Sequence, residues 1–134
     1  MSNQQNFELE LEVRDYECDL QGIVNNAIYL NYLEHARHQL LKNIGVDFAK
    51  LHDGGCDLVI TRAELDYEQP LRSGDRFVVR SVLKRQRRIR FVFEQEILKF
   101  PEMKRVLQGI IIGTGVINGK IGLPSELLEL LGGQ

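Results

Sequence analysis

Residues 17 to 29, Glu-Cys-Asp-Leu-Gln-Gly-Ile-Val-Asn-Asn-Ala-Ile-Tyr, place one carboxylate, that of Asp19, just ahead of a helix start marked by Asn25 and Asn26. The first N–H groups of a helix have no partner within it and carry partial positive charge. They can hold an oxyanion while a nearby carboxylate attacks a carbonyl carbon or activates water on it. Asp is also a common turn former, so a loop carboxylate closing a turn with Gly22 is the alternative interpretation.

The residues that follow show the spacing of one long helix. Apolar side chains recur every three or four positions, which places them on one stripe of a helix. These positions are Tyr29, Tyr32, Leu33, Ala36, Leu40 and Ile44. Gly45 follows as a left-handed cap. The patterns predict one long helix, Ala27 to Ile44, and two short ones, Val46 to His52 and Leu123 to Leu131.

Alternating apolar and polar residues predict strands in the rest of the chain. The first strand holds Phe7, Leu9, Leu11 and Val13, each followed by a charged residue. The others are Val59 to Tyr67, Arg76 to Lys84, Ile89 to Ile97 and Val106 to Ile117, separated by turns with Pro or Gly. About five strands in hairpin order and one long helix predict an α+β fold, with an antiparallel sheet packed on that helix.

Composition limits the classes of partner. The chain has 134 residues, 43% hydrophobic, which predicts a single domain over residues 1–134. A net charge of −2 gives no reason to expect nucleic acid or an anionic membrane. Two cysteines are too few for a disulfide framework. The polar start, Met1 to Asn6, and the lack of an apolar run of about 20 residues predict a soluble, cytoplasmic protein.

The last long strand predicts self-association. Ile110, Ile111 and Ile112 make it apolar on both faces, whereas one helix covers only one face of a sheet. We expect a second copy to bury the open face or an edge, in a homodimer or a homotetramer. Gly109, Gly113 and Gly115 indicate bulges or close approach by another backbone.

The segment from Val13 to Arg37 resembles the hotdog-fold acyl-CoA thioesterases of the 4-hydroxybenzoyl-CoA thioesterase type. The residues that carry the resemblance are Asp19, Gly22, Ile23, Val24, Asn25, Asn26, Tyr29, Tyr32, Glu34, Ala36 and Arg37. The looser family pattern continues through Pro70, Gly74 and Asp75 to Val116. Two family branches carry a His in this motif, and this chain has neither.

The resemblance implies a hotdog fold and hydrolysis of an acyl-CoA thioester to a free acid and coenzyme A, without a cofactor or metal. Asp19 would act as nucleophile or as general base, and the backbone N–H of Asn26 would polarise the thioester carbonyl. The other residues expected to contact substrate are Gly22, Val24, Asn25 and Tyr29. Thr61, expected to point inward from its strand, either lines the acyl pocket or packs as an ordinary core residue. The alternative is a non-catalytic hotdog protein that binds acyl-CoA or acyl-carrier protein.

Five of the 17 basic residues fall in seven positions at a predicted turn: Lys84, Arg85, Arg87, Arg88 and Arg90. They form either a solvated hairpin tip or an anchor for the phosphates of coenzyme A, which the resemblance favours for Arg85, Arg87 and Arg88. A nucleic-acid patch is a weaker interpretation, because no aromatic residues are interleaved.

Other candidates are given structural roles. His35 and His38 lie three apart on the helix, but no third metal ligand is apparent and we expect both to be exposed. Cys18 has no evident histidine partner and is expected to be a small packed residue. Glu34 and Arg37 are expected to pair across one helix turn or to brace the loop.

Overall fold

The computed structural model describes residues 4–132. The strands in this range are β1 (Gln5–Glu12), β2 (Cys56–Tyr67), β3 (Arg76–Arg87), β4 (Arg90–Lys99), β5 (Lys104–Ile117) and β6 (Lys120–Ile121). The helices are α1 (Asn26–Asn43), α2 (Phe48–Asp53) and α3 (Ser125–Leu130), and a 3-10 turn covers Asp15–Glu17. The predicted α+β class is confirmed. The domain bounds 1–134 stay a prediction, since residues 1–3 and 133–134, including the first half of the polar start, lie outside the described residues.

All strand pairs are antiparallel, and the five long strands lie in the order β1-β3-β4-β5-β2. The register defines two ends of the sheet. At one end, Glu12 pairs with Arg76 and Tyr67 pairs with Leu107. At the other end, the β3–β4 hairpin turns beyond Arg87. The segment that follows β1 therefore leaves the sheet at the end opposite to this hairpin.

Helix α1 packs across the inner face of the sheet. It begins at Asn26 because the Asn25 side chain accepts a hydrogen bond from the backbone of Ala27. It ends at Asn43, before Gly45, whose φ of +88° needs a residue without a β-carbon. Its buried residues are Tyr29, Tyr32, Leu33, Ala36, Arg37, Leu40 and Leu41. The predicted stripe is thus confirmed from Tyr29 to Leu40. Ile44 lies just beyond the helix and is partly buried, and Arg37 and Leu41 are unexpected members.

Glycines of β5 mark close approaches rather than bulges. A β-carbon at Gly115 would lie 2.2 Å from the carbonyl oxygen of Gly122, and one at Gly113 would lie 2.5 Å from that of Val59. The register shifts occur elsewhere, at Ile60/Arg62 of β2 among other places. The alternative of close backbone approach is therefore confirmed at these two glycines.

Candidate active site at the amino end of helix α1

The residues around Asp19 form a tight hairpin between β1 and α1. Cys18 and Val24 make an isolated antiparallel bridge. Around it, the backbone N–H of Asp19 donates to the carbonyl oxygen of Ile23 over 2.9 Å, and that of Asn25 donates to the carbonyl oxygen of Glu17 over 3.1 Å. We call residues 17–25 the acid loop. It ends where α1 begins, so Asp19 and the amino end of the helix belong to one unit.

The Asp19 carboxylate has one oxygen engaged in this loop. Its Oδ1 accepts from the backbone N–H groups of Gln21 at 2.9 Å and Ile23 at 3.4 Å. No hydrogen bond or ion pair within residues 4–132 involves its Oδ2, and the side chain is exposed. Gly22, with a φ of +80°, closes the turn. Turn formation therefore uses one carboxylate oxygen and leaves the other without a hydrogen bond from the described residues.

The first backbone N–H groups of α1 differ in their hydrogen bonds. Asn25 Oδ1 accepts from the backbone N–H of Ala27 over 3.0 Å, and the N–H of Ile28 donates to the carbonyl oxygen of Asn25. No described residue accepts a hydrogen bond from the backbone N–H of Asn26. The first turn carries no acidic residue that would offset the helix dipole. An N–H group in this state can bind a developing oxyanion.

Two residues expected to contact substrate are instead buried. Val24 is 2% exposed and Tyr29 is 3% exposed. The hydroxyl oxygen of Tyr29 accepts from the backbone N–H of Leu71 over 2.9 Å. Their side chains pack inside this chain, because the turn before β3 folds back over the acid loop and covers them.

Thr61 also differs from its prediction. The register of β2 shifts between Ile60 and Arg62, so Thr61 occupies a β-bulge and is exposed rather than inward-facing. Its hydroxyl donates to the carbonyl oxygen of Ile112 over 3.3 Å. An extra residue in one strand breaks the alternation of faces on which the prediction rested.

The basic residues do lie at a hairpin tip, as predicted. β3 ends at Arg87 and β4 begins at Arg90. Arg85 donates to the carbonyl oxygens of Arg87 and Arg88, which shapes the turn, and Lys84 pairs with Glu94 at 2.9 Å. Arg87, Arg88 and Arg90 are exposed, and no acidic residue in the described part of the chain pairs with them.

Within one chain, the basic hairpin lies far from the acid loop. The acid loop adjoins the Arg76 end of β3, where Val13 donates to the carbonyl oxygen of Asp75 and Ile23 bridges to Arg72. The hairpin lies at the Arg87 end. β3 has 12 residues, so its ends are roughly 35 Å apart at about 3.3 Å per residue.

Sequence reasoning missed a buried polar network beneath α1. Arg37 Nη1 donates to Gln95 Oε1 over 3.0 Å, and Gln95 Nε2 donates to the carbonyl oxygen of Leu33 and to Ser81 Oγ. Arg37 therefore bonds to Gln95 and forms no ion pair with Glu34 within the 4.0 Å limit of such pairs. Burial lowers the pKa of its guanidinium. The alternation of β4, which points Gln95 inward, was the available signal.

The two helix histidines and Cys18 have the exposure predicted for them. His35 and His38 are exposed, although the ring of His38 lies 4.9 Å from that of Phe48. Cys18 is partly buried against the core.

Residues 4–132 hold no cluster of three or more His, Cys, Asp or Glu side chains fit for a metal ion. No helix in the same range is both long and apolar enough to cross a membrane.

Related sequences match most of this chain. The profile of the thioesterase-like superfamily matches residues 13–131. The acyl-acyl carrier protein thioesterase ATL3 (chloroplastic) of Arabidopsis thaliana is 41% identical over 122 residues, which cover 90% of this chain and 64% of that protein. A putative esterase of Aquifex aeolicus is 36% identical over 120 residues, 89% of this chain and 92% of its own length. The chain thus spans less than two thirds of the Arabidopsis protein.

Solved structures share the fold. A 1,4-dihydroxy-2-naphthoyl-CoA thioesterase from Synechocystis matches with a TM-score of 0.87 and 19% identity, covering 93% of this chain and 94% of its own. A mutant 4-hydroxybenzoyl-CoA thioesterase complexed with 4-hydroxybenzoyl-CoA matches with a TM-score of 0.85 and 17% identity, covering 95% and 99%. These matches confirm the predicted hotdog fold. By fold and sequence together, the chain belongs to the thioesterase-like superfamily.

Proposed function

We propose that this chain hydrolyses an acyl thioester to a free acid and a thiol. One observation carries the proposal: the acid loop joins a carboxylate with a free Oδ2, on Asp19, to a helix amino end with an unpaired N–H, on Asn26. Superfamily membership and relatives named as thioesterases support the reaction type.

In the proposed reaction, the Asn26 N–H binds the thioester oxygen as negative charge develops on it. Asp19 either takes a proton from the attacking water or attacks the carbonyl carbon itself to form a mixed anhydride that water then cleaves. The C–S bond breaks in both routes, and the sulfur leaves as a thiolate that needs little acid assistance. Thiol that appears ahead of free acid in rapid-quench experiments would identify the anhydride route. We propose that neither route needs a cofactor or metal.

The proposed carrier is coenzyme A, with Arg87 and Arg88 on its phosphates and Arg85 shaping the turn. The two ends of β3 lie roughly 35 Å apart, so these arginines would have to come from a second copy. β2 offers the edge for that copy: it is the outermost long strand at its side of the sheet, and Val59, Ile60 and Tyr67 are 38%, 45% and 49% exposed along it.

Antiparallel pairing of two β2 strands about a twofold axis would place the Cys56 end of one beside the Tyr67 end of the other. In each chain the Cys56 end lies on the side of the basic hairpin and the Tyr67 end on the side of the acid loop. The partner's hairpin would thus come to the end of the sheet that holds Asp19. A homodimer, alone or within a tetramer, is the assembly that this arrangement supports.

An acyl-carrier protein is the second candidate carrier, because a relative 41% identical is named for that substrate. Its phosphopantetheine arm would enter the same site. A panel of acyl-CoA and acyl-carrier-protein thioesters, assayed for thiol release, separates the two carriers and gives acyl preference in the same measurement.

Asp19→Asn is the decisive variant. The amide oxygen can still accept from Gln21, so the loop should fold, while thiol release falls by about 10²-fold or more. Asp53→Asn, at an exposed position at the end of α2, is the matched control and should keep full turnover. Near-normal release by Asp19→Asn would reject the assignment. Saturable binding of acyl-CoA without thiol release by the unsubstituted chain would favour a non-catalytic binding protein.

Mixed dimers test the contribution of a second chain. Asp19→Asn chains and Arg87→Ala/Arg88→Ala chains should each have weak activity alone. When the two are co-expressed, up to a quarter of the active sites should regain normal activity by complementation. That fraction follows from half of the chains forming mixed pairs in which one of two sites carries both intact parts. A strict sum of the two separate activities would mean that the arginines do not act on the partner's site.

A further inference from the structure

Two tyrosine hydroxyls of α1 hold opposite sides of the acid loop. Tyr29 and Tyr32 lie three residues apart, so both face the same side of the helix. Their rings meet edge to face with centroids 6.2 Å apart, and both side chains are buried. Because α1 also supplies the unpaired Asn26 N–H, contacts from these tyrosines fix the loop relative to that donor.

Tyr32 holds the start of the acid loop, at Glu17. Its hydroxyl donates to Glu17 Oε1 over 2.7 Å, and the backbone N–H of Arg14 donates to the same oxygen over 2.8 Å. Glu17 closes the 3-10 turn and stands two residues before Asp19. One carboxylate oxygen thus joins the turn, the loop and the helix.

Tyr29 holds the part of the acid loop that leads into α1, and it does so through the segment that precedes β3. The Tyr29 hydroxyl accepts from the backbone N–H of Leu71, and the carbonyl oxygen of Leu71 accepts from the backbone N–H of Val24, both over 2.9 Å. The neighbouring pair, Ile23 and Arg72, forms a β-bridge. Leu71 is fully buried, so water does not compete for these bonds.

Between these two attachments, the hydrogen bonds that the described residues donate to the Asp19 carboxylate all come from the loop itself. The contacts of Asp19 itself, at Gln21 and Ile23, lie within the loop and do not tie it to the helix. The position of the carboxylate relative to the Asn26 N–H therefore depends on what holds the loop from outside. The tyrosine contacts do this on each side.

We propose that Tyr29 and Tyr32 are positioning residues for hydrolysis, with Glu17 and Leu71 as their intermediaries. The proposal rests on the proposed function. Neither hydroxyl reaches the reacting atoms; each fixes the loop so that the acid and the oxyanion donor keep their relative geometry. A displacement of about 1 Å between reacting groups can cost on the order of 10² in rate.

The direct test removes one hydroxyl. Tyr32→Phe should lower kcat by about tenfold or more and leave KM within about twofold, because substrate binding does not use the hydroxyl. Tyr16→Phe is the matched control: Tyr16 is 74% exposed, and its hydroxyl contacts only Arg14 among the described residues. It should keep normal kcat.

Glu17 variants separate positioning from charge. Glu17→Gln keeps an oxygen that can accept from both Arg14 and Tyr32, so it should retain kcat within a few-fold, whereas Glu17→Ala should match Tyr32→Phe. Amide hydrogen exchange over residues 18–25 gives a readout that needs no turnover, and exchange should quicken in Tyr32→Phe and Glu17→Ala only.

The outcomes distinguish the two proposals. Active unsubstituted protein with unchanged kcat and unchanged loop exchange in Tyr32→Phe would overturn the positioning role and leave the hydrolase standing. A loss in Glu17→Gln as large as in Glu17→Ala would also overturn it, since the charge would then matter rather than the tether. Absence of thiol release from the unsubstituted protein with every thioester would reject the hydrolase and, with it, the positioning role.

Discussion

Arg37 Nη1 lies 3.0 Å from Oε1 of Gln95, and both side chains are buried where α1 crosses the sheet. The guanidinium also lies 5.9 Å from the ring of Phe93. A buried cation that depends on a neutral amide is costly to leave unpaired. Gln95 also holds the carbonyl oxygen of Leu33, so this contact fixes how α1 sits on the sheet.

This contact predicts unequal effects for its two members. Gln95→Leu leaves a buried charge and loses three hydrogen bonds, so it should lower the free energy of unfolding by about 3 kcal/mol. Arg37→Met removes the charge and keeps an apolar stem, so its cost should be about 1 kcal/mol. Urea titration followed by circular dichroism measures both. Equal costs would mean that the charge makes no difference at this site.

We expect the turn at position 22 to require glycine. Its φ of +80° is costly for residues with a β-carbon, although nothing lies within 4 Å of that position. Gly22→Ala should cost about 1 kcal/mol and lower turnover, because the strain falls next to Asp19. Gly54→Ala, at a φ of −83° with ordinary contacts, should be neutral or stabilising. Thermal melts and thiol-release assays of both variants test the difference.

Alkaline pH should weaken the fold through the same tyrosines. Burial raises the pKa of Tyr29. The pKa of Tyr32 is raised mainly by burial and secondly by the hydrogen bond to Glu17. Tyrosines in the unfolded chain ionise near pH 10. Unfolding then releases protons from these tyrosines above about pH 10, so their contribution to stability is constant below that pH and falls above it.

Urea midpoints measured from pH 8 to pH 11 test this expectation. The unsubstituted protein should lose stability above about pH 10, and Tyr32→Phe should show a shallower fall because one ionisable group is gone. An equally steep fall in that variant would assign the alkaline transition to other groups.

The basic hairpin should act on the carrier rather than on the reaction. Arg87→Ala/Arg88→Ala should raise KM for acyl-CoA by about tenfold or more and leave kcat nearly unchanged. The effect should shrink at high salt, because both residues are exposed. With an acyl-pantetheine substrate, which lacks the nucleotide phosphates, KM should be the same in the variant and the unsubstituted protein. Lys50→Ala, another exposed cation, is the control.

Local patterns were sufficient for most of the fold. Alternation of apolar residues predicted the five long strands, and the spacing from Tyr29 to Ile44 predicted α1 to within one residue at each end. Asn25 and Gly45 marked those ends because capping depends on adjacent residues alone. The two-residue strand β6 had no such signal, since two residues show no alternation.

The site could be predicted less completely because its contacts are distant in sequence. The burial of Val24 and Tyr29 depends on Leu71, more than 40 residues along the chain, and nothing near either residue indicates that contact. Thr61 was misplaced by a bulge that reverses the faces of β2. For Asp19, the sequence left two interpretations open, and the loop does not force a choice between them: Oδ1 accepts the hydrogen bonds of the turn, and Oδ2 accepts none from the described residues.

The length of β3 has a consequence for how this protein responds to dilution. If Asp19 of one chain works with the arginines of another, an isolated chain contains parts of two active sites and completes neither. Specific activity would then rise with protein concentration until all copies are paired, and the subunit dissociation constant would set the threshold at which a cell's supply of this protein becomes useful.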